Sequence, residues 1–469
     1  MATAGSAAAP TPQDLAEHAL AASTADDCVV VVRDATSANL RWATNTLTTN
    51  GVMHASSVTV VSFARSAAGT GTGSVTSTAT TRDQVEALVA AADAAARASS
   101  PAEDAAELLG DRVSADWADA PQPTDIEVYA TVAPALGEAF GRARSAGRVL
   151  YGFVNHEMTT TYLASSTGLR LRHVQPNGHV GVTGKSADLT RSAWVGAATR
   201  DFTDVDPLAL DDELARRLAW AERRVDLPAG RYDTILPPTA VADLMIDAYW
   251  YAGGRDAHEG QSVYSRRGGG TRVGERLARP GVGLWSDPAA PGLECAPFAL
   301  ATSSSNESSV FDNGLPLGRT DWLRDGELTS LIQTRHSAAM TDLPVTPYVD
   351  NLLLEVDGAS GSIDDLVAGT ERGLLLTCLW YIREVDPQTL LLTGLTRDGV
   401  YLVEDGEVTG AVNNFRFNES PVDLLRRFSH AGATVPAFSR EWGDDYFSRT
   451  AMPPLRVPDF NMSSVSQAL

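Results

Sequence analysis

Apolar positions in this chain follow two rhythms, and the change from one to the other divides it. In the first half, helical spacing alternates with short apolar runs. Residues 12–24 carry Leu15, Ala19 and Leu20 about a turn apart, which predicts a first helix. Cys28–Arg33 is a continuous apolar run of the length of a buried strand. Asn39–Thr46 and Ser57–Phe63 are further strands, with the turn residues Thr49, Asn50 and Gly51 between them. The Gly/Thr/Ser-rich tract Ala67–Thr81 has the composition of a loop. It ends in Thr81 and Gln84, a capping box for a helix over Arg82–Ala98 that places Val85, Leu88, Val89 and Ala92 on one face. A polar connector, roughly 99–123, leads to a second helix ending near Gly147, with Pro134 in its first turn. Arg148–Val154 and Met158–Ser165 then read as a hairpin, followed by strands Val180–Thr183 and Ala193–Ala198 and a charged helix over Leu208–Arg224.

Asp226–Gly230 is turn-rich and marks a boundary. Beyond it come a short strand at Tyr232, a Pro-Pro turn, and a helix with Val241, Leu244, Met245 and Ala248 as its packing face, closed by Gly253 and Gly254. The rhythm then turns to β. Leu328–Gln333, Leu352–Val356, Leu374–Ile382, Leu390–Thr396 and Gly399–Val403 alternate with Asp-Gly turns at 325, 357, 398 and 405. Two short helices interrupt them, at Ser362–Gly369 with Ser362 as N-cap and at Pro421–Ala431. No period of 20–50 residues recurs, so a solenoid or propeller is not indicated. The expected fold is α+β: a leader and first helix over 1–24, an N-terminal α/β domain over 25–227, and a β-rich C-terminal domain over 228–469.

Composition narrows the function. The 469 residues carry a net charge of −22, which repels phosphate backbones, and no basic cluster interleaved with aromatics offsets it. Nucleic-acid binding is therefore not expected. No apolar run is long enough to span a bilayer, and the N-terminus lacks the basic start and apolar core of a secretory signal. A cytoplasmic protein with a disordered leader follows as the expectation. Cys28, Cys295 and Cys378 are too far apart for a Cys-x-x-Cys zinc site and odd in number, so they read as buried small hydrophobes. Of 37 basic residues only Lys185 is a lysine, a bias that says little about function.

One dipeptide invites a zinc-protease reading. His258-Glu259 has the first two residues of the HExxH motif, in which two histidines one helical turn apart bind zinc and the glutamate activates water. Four and five residues on, however, stand Ser262 and Val263, neither of them a nitrogen ligand. The pair reads as a coincidence in a loop. The alternative is an active zinc metallopeptidase with His258, Glu259 and a distant His336 or His430 as ligands. Asn155-His156-Glu157 has the same defect, with Thr160 and Thr161 where the second histidine would be. Neither Gly71–Ser74 nor Gly358–Gly361 forms a nucleophile elbow, and Gly268–Thr271 lacks the Lys of a P-loop.

The order of features from Tyr232 onward resembles the TldD/PmbA (TldD/TldE) family of zinc peptidases and their inactive homologues. The matching pieces are Tyr232–Pro238 with Ala242–Met245, Gly260–Ser262, Gly274, Trp285–Pro288, Arg324–Leu328 and Asn351–Gly358. Ser362–Leu366, the strand at Gly373, Glu404–Glu407 and Pro454–Phe460 complete the series. The resemblance covers about 230–469 well and the first half more loosely. It implies that active members carry His-Glu-x-x-x-His on the helix after Tyr232, with a cysteine near the C-terminus as third ligand. On this chain the histidine positions fall on Ile246 and Tyr251 and the glutamate position on Asp247, and no cysteine lies within Arg440–Pro453. The resemblance therefore implies a TldE/PmbA-like, metal-free subunit without catalytic residues. Such a subunit pairs as a heterodimer or larger complex with a TldD-like peptidase that holds the zinc, and completes a chamber for a peptide or unfolded-protein substrate. The family's older link to DNA gyrase finds no support in so acidic a chain.

Overall fold

A computed structural model describes residues 9–443 and 449–466. The expected leader lies mostly outside the described residues, as does part of the Arg440–Pro453 stretch. The chain is α+β, with one sheet built from the first half and two from the second.

The first sheet runs in the order β3-β2-β1-β4-β5-β6 and is antiparallel throughout. Its strands are β1 (Asp27–Ala43), β2 (Thr46–Ser66), β3 (Gly69–Ser77), β4 (Arg148–Ser165), β5 (Arg170–Ser186) and β6 (Ser192–Thr199). These strands are far longer than the apolar runs suggested. The β1–β2 turn lies at Thr44 and Asn45, both with φ in the left-handed region as a two-residue hairpin turn requires, and Thr49–Gly51 lie inside β2. The expected hairpin over 148–165 is one strand, because His156 at its centre is buried rather than turned out.

Helices α1 (Pro12–Ala22) and α2 (Arg82–Ala98) cover Val30, Val32, Val58 and Val60 at one end of this sheet. Their other neighbours, Val29, Val31, Val61 and Phe63, face Phe298, Val310 and Phe311 from the second half of the chain. Burial on both faces explains why Cys28–Val32 is unbroken by polar residues. Helices α3 (Val132–Ser145) and α4 (Pro207–Trp220) cover Leu40, Trp42, Val154 and Val180 at the other end. Pro134 sits in the first turn of α3, and Thr81 and Gln84 form the capping box of α2.

The tract expected as a loop is strand β3. Its glycines carry the reason: a Cβ at Gly73 would lie 2.4 Å from both Ala92 O and Ala96 N, so the strand meets α2 backbone to backbone. Gly73→Val is accordingly expected to destabilise the protein by about 2 kcal/mol or more. A urea midpoint unchanged from the wild type would contradict this contact.

The second half forms a six-stranded and a ten-stranded sheet. In the larger, strand Gly230–Leu236 lies between Leu455–Val465 and Arg372–Leu376, and Leu379–Asp386 is an edge strand. In the smaller, Thr450–Met452 lies between Leu352–Val356 and the edge strand Val435–Ala437. Helix α5 (Pro238–Trp250) packs within the largest apolar cluster, alongside side chains of both sheets. All three cysteines are buried, and no described helix is long and apolar enough to cross a membrane.

Candidate functional site

The site is organised by α5. Strand Gly230–Leu236 delivers the chain to Pro237-Pro238, and proline at the first helical position suits a helix start because its missing N–H is one that needs no partner there. The helix is not amphipathic as its packing face suggested: every residue from Ala240 to Tyr249 is buried. Tyr249 fixes its far end, since its hydroxyl accepts from Val349 N at 2.8 Å and lies 3.0 Å from Val349 O.

Within this apolar environment stand two acids, Asp243 and Asp247, one turn apart. Asp243 is fully buried. Its Oδ1 accepts from Ser439 Oγ at 2.6 Å and from the Glu441 backbone N–H at 3.0 Å, while the Trp442 indole donates to its carbonyl at 3.0 Å. One carboxylate therefore ties down the loop that follows the Val435–Ala437 strand. Burial pushes the Asp243 carboxyl up to about 7, against the lowering effect of those two hydrogen bonds. Among the described residues Asp247 Oδ2 has no hydrogen-bond partner, and burial, reinforced by the neighbouring Asp243 and Glu441, pushes the carboxyl up to about 8. Glu441 is also raised by burial, although it accepts from Ile382 N at 3.0 Å.

Of the three expected metal positions, Ile246 is fully buried hydrocarbon. Tyr251, at the helix C-cap, is half-buried, and its phenol is pushed up by burial first and by Glu384 second. These side chains do not fit a zinc ion. One has no donor, one is a phenol that resists ionisation, and the third is a carboxylic acid that burial keeps protonated, whereas zinc takes deprotonated O and S or neutral imidazole ligands.

His258 ends a short helix, Gly254–His258, rather than lying in a loop. The glycine pair does not end α5, which stops at Trp250 with Tyr251 as C-cap; Gly253 caps the next helix, and a Cβ at Gly254 would lie 2.3 Å from the end of the Gln333 side chain, which would have to move. Glu259 accepts from Arg255 Nε at 3.0 Å and Gln261 Nε2 at 3.2 Å. With His258 it lines an open cleft beside Arg266, Arg272 and Arg426. His336 lies on helix Arg335–Thr341, and His430 is exposed with Nδ1 3.0 Å from Ser429 Oγ. Among the described residues, no three His, Cys, Asp or Glu side chains come together as a metal site. The second His-Glu pair is structural: His156 Nδ1 lies 2.6 Å from Thr124 Oγ1 and its Nε2 2.7 Å from Arg200 O.

The residues that sequence reasoning missed are Asp243 and Glu441. A charged residue between Ala242 and Leu244 in an apolar helix was the available signal for the first. Nothing local marked the second.

Comparison with known proteins agrees with this architecture. A family profile described as the PmbA/TldA metallopeptidase C-terminal domain matches residues 229–464, and the profile of the central domain matches 121–222. No curated protein has significant sequence similarity to the chain. Among solved structures, TldE from Thermococcus kodakarensis superposes with a TM-score of 0.72 at 16% identity, over 96% of this chain and 99% of that one. A proposed modulator of DNA gyrase from Thermotoga maritima gives 0.73 at 16% identity, over 93% and 95%. Another from Bacteroides thetaiotaomicron gives 0.72 at 14%, over 97% and 98%. At these identities the structures report the fold, and the profiles carry the assignment: the chain belongs to the TldD/PmbA metallopeptidase family.

Proposed function

We propose that this chain is the non-catalytic, TldE-like subunit of a peptidase complex. It pairs with a TldD-like subunit that holds the zinc, and helps to enclose the peptide that the partner cleaves. The observation that carries the reading is Ile246, a fully buried hydrocarbon on α5 where active relatives place a histidine, in a helix whose acids are engaged in packing. The similarity to a TldE structure over nearly the whole chain supports it. The domain division at about 228 is part of the same proposal, as is the cytoplasmic location.

Two measurements test it. Elemental analysis of the protein purified without chelator is expected to find no more than about a tenth of an equivalent of zinc, since a structural or catalytic site binds about one. One equivalent, with peptide cleavage abolished by His258→Ala, would instead establish the His258/Glu259 peptidase. Mixed at micromolar concentration with a TldD-like protein from the same cell, the chain should co-elute and cleave peptides only in the mixture. Separate elution sinks the pairing.

A further inference from the structure

Strand β2 outruns its outer neighbour. Strand β3 pairs with it only from Val58 to Ser66, whereas β1 pairs with it from Thr46 to Phe63. Among the described residues, no strand or bridge lies on the outer side of Thr46–Ser57. Thr46–Asn50 and Val52–Ala55 are all exposed, with Leu47 at 45%, Val52 at 52% and Met53 at 62%. A Cβ built on Gly51 would meet nothing within 4 Å.

Folded proteins blunt such an edge with charged side chains, proline or a bulge, because its unpaired N–H and C=O groups are a template for another strand. Here the one irregularity in the β1–β2 ladder lies between Arg41 and Trp42, beside the turn, and it leaves Thr49–Ser57 in unbroken register with β1. No Asp, Glu, Lys, Arg or Pro occurs from Thr46 to Ala64. His54, the one titratable side chain on the open stretch, lies 2.9 Å from Asp34 on β1.

The missing charges point to the occupant. A chain of net charge −22 repels its own copy. Two copies therefore meet most readily where charged side chains are absent, since like charges set opposite each other across a ladder destabilise it. A partner of different sequence would be selected by complementary charges, and this edge carries none. An antiparallel pair about a two-fold axis is self-complementary: each copy offers the other the same donors and acceptors, and the assembly closes at two.

We propose that two copies of this chain pair antiparallel along Thr49–Ser57 of β2, joining their first sheets into one. Met53 is the centre of that stretch, so the two-fold axis sets it opposite its own counterpart and sets Gly51 opposite Ala55. This goes beyond the pairing with a TldD-like subunit and does not rest on it. The two together give an assembly with two chains of each kind.

Sedimentation velocity of the full chain at micromolar concentration is expected to show a species of twice the chain's 49.6 kDa. Met53→Lys sets like charges face to face and should weaken the dimer about tenfold or more, as should Met53→Glu, while an equimolar mixture of the two variants restores it. Because Met53 is exposed, both variants should melt as the wild type does. A monomeric wild type, variants that dimerise as tightly as the wild type, or a mixture that stays monomeric each overturn the proposal. Species larger than two overturn it in favour of open-ended aggregation. If the wild type is monomeric and Met53→Lys abolishes co-elution with the TldD-like protein, the edge belongs to that subunit instead. A monomeric wild type that still co-elutes leaves the proposed function standing.

Discussion

Asp243→Ala is expected to destabilise the protein by about 3 kcal/mol or more, whereas Asp243→Asn costs much less. The carboxylate is the acceptor for two buried donors, the Ser439 hydroxyl and the Glu441 N–H. Alanine leaves both without a partner, at about 1–3 kcal/mol each, and opens a void inside the apolar cluster. Asparagine keeps an oxygen in the same place. Urea denaturation gives the free energies, and hydrogen exchange at residues 438–443 shows whether the loop loosens. Alanine and asparagine variants of equal stability would mean that the hydrogen bonds to Oδ1 hold nothing in place.

Stability is expected to fall as pH rises from 6.5 to 8, and Asp247→Asn should remove much of that fall. The folded-state values of Asp243 and Asp247 are raised from 3.8 to about 7 and about 8. In this range the folded protein holds protons that the unfolded chain has released, so their contribution is complete below about pH 4 and is lost as pH climbs through the folded values. The groups facing Asp247 are Asp243, Glu441 and Arg383, and the two acids outweigh the single arginine. Below 6.5 the buried His156 and the half-buried His173 act in the opposite sense, since desolvation lowers both and the unfolded chain binds protons there that the folded one does not. From 6.5 to 8 the fall therefore comes from the buried acids, the α5 pair together with Glu307, which burial raises to about 7, with a slope on the order of 1 kcal/mol per pH unit. Melting curves of the two proteins at pH 6.5 and 8 decide it. A wild type that is more stable at pH 8, or a variant with the same slope, rules out protonated acids on α5.

How far the sequence spoke for itself depended on whether the physics was local. Thr81 with Gln84 and Ser362 with Asp365 cap their own helices, and both starts are legible because partner and position lie three residues apart. Strand β4 was not, because Asn155-His156-Glu157 is as polar as a turn. Only the burial of His156 beneath Thr124 and Arg200 O makes it strand. Strand β3 was hidden because its packing depends on missing side chains, Gly71 and Gly73 against α2, and no periodicity records an absence. Helix α5 was legible as a helix after Pro237-Pro238, although the prolines read as a turn and Pro238 is its first residue. Its acid Asp243, however, is engaged by Ser439 and Glu441, nearly 200 residues away.

The position of strand Gly230–Leu236 sets an order of events in synthesis. All six strands of the first sheet are present once residue 199 has been made, and each is paired with neighbours from within that stretch. By contrast, Gly230–Leu236 waits for Leu455–Val465, which brings Leu455, Val457, Phe460 and Met462 into the core against which α5 lies. A nascent chain can thus complete its first sheet while α5 remains without its wall, leaving an apolar helix exposed, and the strand before it paired on one side at most, until the last part of the chain is made. Ribosome stalling or premature termination before residue 455 would release a species with one finished sheet and one sticky one. The cell's chaperones, rather than any ligand, would be its first partner.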